Sequence, residues 1–222
     1  MNNFTTVLFD LDGTVTDPAE GITNSVAYAL KSYGIEVSDE KSLCTFIGPP
    51  LYASFMKYYG FSEKQGLEAV DRYREYYSEK GVFECFLYDG IKELFADLHN
   101  SSKRVVIATS KPEHFSKMIL KHFGLDPFVT FLAGATMDSH RVEKGDIIRF
   151  AFENLGITDT QGVVMIGDRE FDVIGAKENG VKSIGVTYGY GSPAELEKAG
   201  ADFLCDSVEK LRELLLDTPK KP

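Results

Sequence analysis

Two stretches of this sequence place a pair of aspartates just beyond a short apolar run, where carboxylates can hold a cation or meet a phosphoryl group. The first is Phe9-Asp10-Leu11-Asp12-Gly13-Thr14-Val15-Thr16-Asp17. Side chains alternate along a strand, so Asp10 and Asp12 would share a face, and Gly13 would let the backbone turn away at once. Two carboxylates about 4 Å apart repel by roughly 4 kcal/mol at an effective dielectric near 20, so such a pair calls for a bound cation or a raised pKa. A helix cap followed by a turn is the other reading of these residue types. The second stretch is Val163-Val164-Met165-Ile166-Gly167-Asp168-Arg169-Glu170-Phe171-Asp172, where a second aspartate follows four residues after the first, on one face of a helical turn. Hard oxygen ligands from two strand ends, with room for waters and a substrate oxygen, describe a Mg²⁺ site. A plain cap at Asp168 with a solvated Asp172 is the alternative.

Two further strand ends bear on the same chemistry. Ala108-Thr109-Ser110-Lys111-Pro112 offers hydroxyl and backbone N–H donors where a helix is read as starting at Pro112, a combination that holds a phosphate or simply caps the helix. Lys144, in Val142-Glu143-Lys144-Gly145-Asp146, opens another helix. A lysine there opposes the helix dipole unless it meets an anion, although a solvated surface lysine is the commoner case. The coincidence carries the argument: four successive strand ends supply Asp10 with Asp12, then Thr109, then Lys144, then Asp168 with Asp172.

The elements that must position these residues follow from hydrophobic spacing. Apolar, largely β-branched runs at 5–9, 104–108, 130–132, 163–166 and 183–186 read as strands. Between the later ones lie helical spacings, such as Phe115, Met118, Ile119 and His122, or Ile147, Ile148, Ala151 and Leu155. This alternation implies an α/β fold, a doubly wound parallel sheet covered on both faces. It breaks after the first strand. Residues 18–87 carry only helical signals, with Ile22, Val26, Ala29, Leu30 and Tyr33 on one face and Leu67, Val70, Arg74 and Tyr77 on another; Pro18 marks a start and Gly34 a stop. An α-helical cap over 18–87 is therefore expected as an insertion into a core of 1–17 and 88–222. Open α/β sheets bind ligands at the carboxyl ends of their strands, so an insertion leaving from there would act as a lid. Its many aromatics, among them Phe55, Phe61, Tyr73 and Tyr77, are expected to build a small helical core.

Composition narrows the partners. The 222 residues are 43% hydrophobic and 26% charged, enough for one large core or two small ones. A net charge of -10, with no run of Lys or Arg, argues against nucleic acid and anionic lipid. Cys44, Cys85 and Cys205 lie far apart without a Cys-x-x-Cys spacing, which suits a reducing cytosol. No apolar run approaches the roughly 20 residues that span a bilayer. A cytoplasmic monomer or homodimer acting on a small molecule is expected.

With these residues in view, the sequence resembles the haloacid dehalogenase superfamily over nearly its whole length. Its DxDGTxxD motif resembles residues 10–17, its strand-end hydroxyl Thr109, its lysine Lys144, and its GDxxxD motif residues 167–172. The helical insertion, Phe46-Ile47-Gly48-Pro49-Pro50-Leu51 and Tyr188-Gly189-Tyr190-Gly191 are most similar to the phosphoglycolate phosphatase-like branch, which also holds 5'-nucleotidases, pyrophosphatases and sugar-phosphate phosphatases. The resemblance implies a Rossmann-like core and a Mg²⁺-dependent phosphatase acting through an aspartyl-phosphate. It further implies Asp10 as nucleophile, Asp12 as general acid and then base, and Thr109 with Ser110 as phosphate ligands. Lys144 would neutralise Asp10 and the phosphate. Asp10, the Asp12 carbonyl and Asp168 would hold Mg²⁺, with Asp172 bonding its waters, and Gly48, Pro49 and Pro50 would contact substrate. His140 and Arg141, just before Lys144, are further candidates to face substrate.

Competing classes fit less well. Dehalogenases of the superfamily lack the second aspartate and the metal site, and its transport ATPases carry a different first motif and membrane helices. No Gly-Lys-Ser or Gly-Lys-Thr occurs for a nucleotide-binding phosphate loop. A phospho-receiver domain uses an aspartate, Mg²⁺, a hydroxyl and a lysine, but explains neither the insertion nor a second acid two residues after the nucleophile. A sugar phosphomutase is the enzymatic runner-up, against which Thr14 stands, since mutases often carry a bulkier aliphatic residue there.

Overall fold

The computed structural model describes residues 4–137 and 141–216. Its strands are β1 (Thr6–Phe9), β2 (Thr16–Asp17), β3 (Phe86–Leu87), β4 (Arg104–Pro112), β5 (Val129–Ala135), β6 (Val163–Gly167), β7 (Lys182–Val186) and β8 (Phe203–Cys205). Six form one sheet in the order β5-β4-β1-β6-β7-β8, and every neighbouring pair is parallel. β2 and β3 pair separately as a two-stranded ribbon. All four residues of β1 are buried, as a central strand covered on both faces requires. The chain steps outward from β1 to β4 and β5, then returns to the other side of β1 for β6 to β8. β1 and β6 therefore flank the point where strand order reverses, the place where open α/β sheets bind ligands.

Nine α-helices occur among the described residues: α1 (Ala19–Lys31), α2 (Leu51–Tyr59), α3 (Glu63–Tyr76), α4 (Ile91–Asn100), α5 (Glu113–Phe123), α6 (Lys144–Leu155), α7 (Glu170–Glu178), α8 (Pro193–Ala199) and α9 (Val208–Leu216). None is long and apolar enough to cross a membrane. On one face of the sheet, Leu8, Val106 and Met165 meet Ile147, Ile148 and Ala151 of α6 and Ala176 of α7. On the other, Phe9 packs against Phe95 of α4 with ring centroids 4.9 Å apart. Leu8 and Phe9 thus point to opposite helical layers, as strand alternation demands.

The chain divides into two compact units, Pro18–Phe86 and the two segments that flank it; Leu87 groups with the flanking segments. Within Pro18–Phe86, α1 buries Ile22, Val26, Ala29 and Leu30. Aromatic packing joins Phe46 to Phe55 and Phe55 to Phe61, at centroid distances of 4.9 and 5.9 Å. The buried face of α3 differs from the expected one: it consists of Gly66, Ala69 and Tyr73, while Leu67 is 53% exposed. A Cβ at Gly66 would stand 3.1 Å from the Tyr52 carbonyl oxygen. The helix thus seats on its smallest residues, and a stripe of small side chains does not register as hydrophobic periodicity.

The sheet departs from expectation at three places. β4 runs to Pro112 instead of stopping at Ala108, and its register with β5 slips between Thr109 and Pro112, so α5 begins only at Glu113. β5 extends on both sides of the expected 130–132. β8 was not foreseen, because three residues give too few alternations to read.

Candidate active site

Asp10 lies one residue past β1, and its N–H still donates to the Ile166 carbonyl of β6 at 2.9 Å, so the strand pairing itself fixes its backbone. The chain then folds tightly: the N–H groups of Thr14, Val15 and Thr16 all donate to the Leu11 carbonyl, and Gly13 N–H donates to Thr16. Gly13 has φ +83°, and a Cβ there would come within 2.2 Å of Asp168 Oδ2. Glycine alone satisfies both conditions. Asp168, buried just past β6, accepts from the Tyr190 N–H at 2.7 Å and from the Thr14 hydroxyl at 3.5 Å. Asp172 in the first turn of α7 accepts from the Arg169 N–H at 3.1 Å, which caps that helix.

Lys144, the first residue of α6, ties these ends together. Its ammonium lies 2.8 Å from Asp10 Oδ1 and 2.8 Å from Asp172 Oδ1, and it donates to the Ala108 carbonyl at 2.9 Å. The end of β1, the middle of β4 and the starts of α6 and α7 meet on one buried nitrogen. Beyond these two close ion pairs, Asp10 Oδ1 and Asp172 Oδ1 accept no further hydrogen bond, and Asp12 Oδ1 is a third buried oxygen that accepts none. Burial disfavours the Lys144 charge, yet the Asp10 and Asp172 carboxylates outweigh it and hold the ammonium above its ordinary pKa.

The opposite strain falls on the acids. Burial first, then the Asp172 and Asp10 charges, push Asp168 up to about 8. Asp172 is also raised by burial, against the pull of Lys144. Carboxylate oxygens of Asp10, Asp168 and Asp172 lie within 4.8 Å of one another. Counting Asp12, four carboxylates face two ammonium groups, Lys144 and Lys111, an excess of two formal negative charges that a divalent cation would balance. The donor set, hard oxygens alone, fits Mg²⁺.

This arrangement agrees with the comparisons. Residues 7–186 match the family described as haloacid dehalogenase-like hydrolase. The chain belongs to this family. Among curated proteins, this hydrolase is 43% identical to a 5'-nucleotidase from Pseudomonas aeruginosa, with 94% of each chain covered. It is 36% identical to the tyrosine-protein kinase PtkA of Mycobacterium tuberculosis, covering 94% of this chain and 72% of that one. Among solved structures, that of a predicted phosphatase from Clostridium acetobutylicum superposes with a TM-score of 0.91 at 49% identity, covering 97% of this chain and 99% of the other. The chain is an enzyme of the phosphatase kind.

In this hydrolase the structure gathers Asp10, Asp12, Thr109, Lys144, Asp168 and Asp172 at one edge of the sheet. Thr109 is buried, and its hydroxyl accepts from the Lys111 N–H at 3.2 Å. Ser110 needs correction: its hydroxyl donates to the Val142 carbonyl at 2.9 Å, so only its main chain is left for a phosphate. The strand continues through Ser110, and alternation turns its side chain away from that of Thr109. Arg141 is likewise engaged, with Glu113 at 2.7 Å, the Gly134 carbonyl at 2.9 Å and the Phe150 ring at 3.5 Å. His140 lies outside the described residues, and Gly48, Pro49 and Pro50 belong to the inserted unit.

Three residues escaped the sequence reading. Lys111 pairs with Asp12 Oδ2 at 2.6 Å; period-two spacing from Thr109 was the available signal. The Tyr188 hydroxyl donates to the Thr14 carbonyl at 3.0 Å, and the Tyr190 hydroxyl donates to Asp17. Both tyrosines stood in a segment read as a family marker, and only the fold brings it against the first motif.

Proposed function

We propose that this enzyme is a Mg²⁺-dependent phosphatase that hydrolyses small phosphate monoesters through a phosphoryl group carried on Asp10, with nucleoside 5'-monophosphates the first class to test. The observation that carries the reading is the convergence of Asp10, Asp168 and Asp172 oxygens within 4.8 Å of one another, with Lys144 paired to Asp10 and Asp172. Buried acids of this kind persist where a cation and a negatively charged reactant are to be held.

Asp10, Asp168 and the Asp12 carbonyl would hold the ion, with Asp172 bonding its waters, and when bound it offsets charge on the phosphoryl oxygens. An Asp10 carboxylate oxygen forms the new P–O bond as the bond to the leaving alkoxide breaks. Lys144 holds Asp10 in place and reduces the repulsion between its charge and the incoming phosphate. Asp12, two residues on, gives a proton to the leaving oxygen and then takes one from the water that attacks the phosphorus, returning Asp10 as carboxylate and releasing inorganic phosphate. The Thr109 hydroxyl and the N–H of Ser110 orient the phosphoryl oxygens. Such a transfer needs mainly positioning and charge stabilisation, which a rigid sheet edge supplies.

The choice of nucleotides rests on the 43% identity to a 5'-nucleotidase along nearly the full length of both chains. Phosphoglycolate, pyrophosphate and sugar phosphates remain the alternatives within the same chemistry. The likeness to a tyrosine-protein kinase supports a second reading, transfer from a nucleotide to a tyrosine hydroxyl in place of water. Release of inorganic phosphate from a panel of nucleoside monophosphates, phosphoglycolate, pyrophosphate, sugar phosphates and phosphotyrosine, with Mg²⁺ and with EDTA, tests both. Hydrolysis that EDTA abolishes and Mg²⁺ restores is expected. Full activity in EDTA would sink the metal assignment, and label passing from ATP to a tyrosine peptide without phosphate release would favour the kinase.

A further inference from the structure

The site holds a second buried lysine that the proposed reaction leaves without a role. Lys111 has a side chain 7% exposed, and its ammonium lies 2.6 Å from Asp12 Oδ2, itself on a side chain only 16% exposed. A surface pair of this kind would be weak, but one withdrawn from water is kept only where its geometry is well fixed. Here the backbone is pinned on every side. Thr109 Oγ1 accepts from the Lys111 N–H, the Ser110 hydroxyl is tied to Val142, and Pro112 follows with its restricted φ. Lys144 is not available for Asp12, since it is shared among Asp10, Asp172 and the Ala108 carbonyl. Asp12 thus has a different ammonium from the one that Asp10 and Asp172 share.

We propose that Lys111 is a positioning residue for Asp12: by holding Oδ2 it fixes the rotation of the carboxylate that exchanges a proton with the leaving group and with water. Asp12 Oδ1 is the buried oxygen of that carboxylate that receives no hydrogen bond. The inference rests on the phosphatase reading above. It differs from a role in binding phosphate, because Lys111 acts through Asp12 and its value in forming the phosphoenzyme scales with how much the leaving group needs a proton.

The test uses the whole chain with Mg²⁺, ethyl phosphate as an alkyl substrate and p-nitrophenyl phosphate as one whose leaving group needs little protonation. Lys111→Met should slow formation of the Asp10 phosphoenzyme, followed by rapid quench, by roughly 10- to 100-fold from ethyl phosphate, the scale of a misplaced general acid, and by only about threefold or less from the aryl ester, which should then give a burst before slowed turnover. Lys111→Gln, which keeps a donor and the length of much of the chain, should show the same pattern at smaller size and covers the case in which the methionine variant fails to fold. In an Asp12→Asn background, Lys111→Met should cost about twofold or less on ethyl phosphate, because its effect passes through a group already lost. Equal slowing of phosphoenzyme formation from both esters, losses that multiply in the double variant, or a rise in KM with kcat kept would each overturn the proposal while leaving the phosphatase reading intact. A wild-type chain inactive on every phosphate would overturn both.

Discussion

Asp12 and Asp168 sit a few residues from neighbouring strand ends, yet they face opposite demands. Asp12 is paired with a lysine, and its work in the proposed reaction is proton transfer. Asp12→Asn should therefore lose roughly 10² to 10⁴ in rate on alkyl phosphates. With an aryl phosphate, formation of the Asp10 phosphoenzyme should survive better than its hydrolysis, giving a burst of phenol followed by slow turnover. Rapid-quench labelling decides this; absence of any label dependent on Asp10 would make water the direct nucleophile. Asp168 instead is held up to about 8 by burial and by the neighbouring acids. Its folded-state pKa exceeds the unfolded one, so below about 8 the fold retains a proton that the unfolded chain releases above about 4. In the metal-free protein this contribution favours the fold at low pH and is lost as pH rises through that window. A cation that displaces the proton reverses the trend. Thermal melts between pH 5 and 8 should show a falling midpoint in EDTA and a Mg²⁺-induced rise that grows with pH; a Mg²⁺ shift independent of pH would contradict it.

At the level of elements, the site depends on how closely two loops approach. The segment 188–191 after β7 lies against the first motif and Asp168: a Cβ at Gly189 would stand 2.2 Å from the Gly13 carbonyl oxygen and 2.5 Å from Asp168 Cβ. Tyr190 donates through its main chain to Asp168 and through its hydroxyl to Asp17, so one short segment links the acidic cluster to β2. Gly189→Ala cannot be absorbed by a flexible side chain alone, since backbone stands in the way. It should destabilise the protein by about 1–3 kcal/mol and raise the Mg²⁺ concentration needed for half-maximal activity. Gly156→Ala is the control: Gly156 has φ +64° with nothing within 4 Å of its Cβ position, so it should cost stability through backbone strain and leave the Mg²⁺ requirement unchanged. Titration of activity against Mg²⁺ for both variants checks the contrast.

For the whole molecule, chemistry and substrate choice are expected to reside in different units. The acids and lysines lie in the segments flanking Pro18–Phe86, whereas Gly48, Pro49 and Pro50 lie within it. Gly48 has φ +102°, a conformation that resists a side chain, and Pro50 directly precedes α2. Pro50→Ala should therefore change the ranking among nucleotide, sugar and carboxylate-bearing phosphates more than the rate on p-nitrophenyl phosphate. Equal losses on every substrate, with a lowered melting temperature, would point to a folding role instead.

The sequence by itself determined the class of fold and the set of acids. Apolar runs ending in Asp10, Thr109 and Asp168 repeat a local pattern, because a buried parallel strand must be apolar throughout and must end where polar groups begin. Lys144 could be placed at a helix start for a similarly local reason. What tertiary structure decided was pairing. Whether Lys111 or Lys144 serves Asp12, whether the Ser110 hydroxyl faces a phosphate or the Val142 carbonyl, and whether Tyr190 reaches Asp17 depend on atoms far apart in the chain. The same holds for α3, whose contact face is set by where a neighbouring helix lets Gly66 and Ala69 approach. Local spacing fixes which way a residue can point; only the packed sheet and its loops fix what it meets there, since a buried charge or hydroxyl takes whichever partner the fold brings within reach.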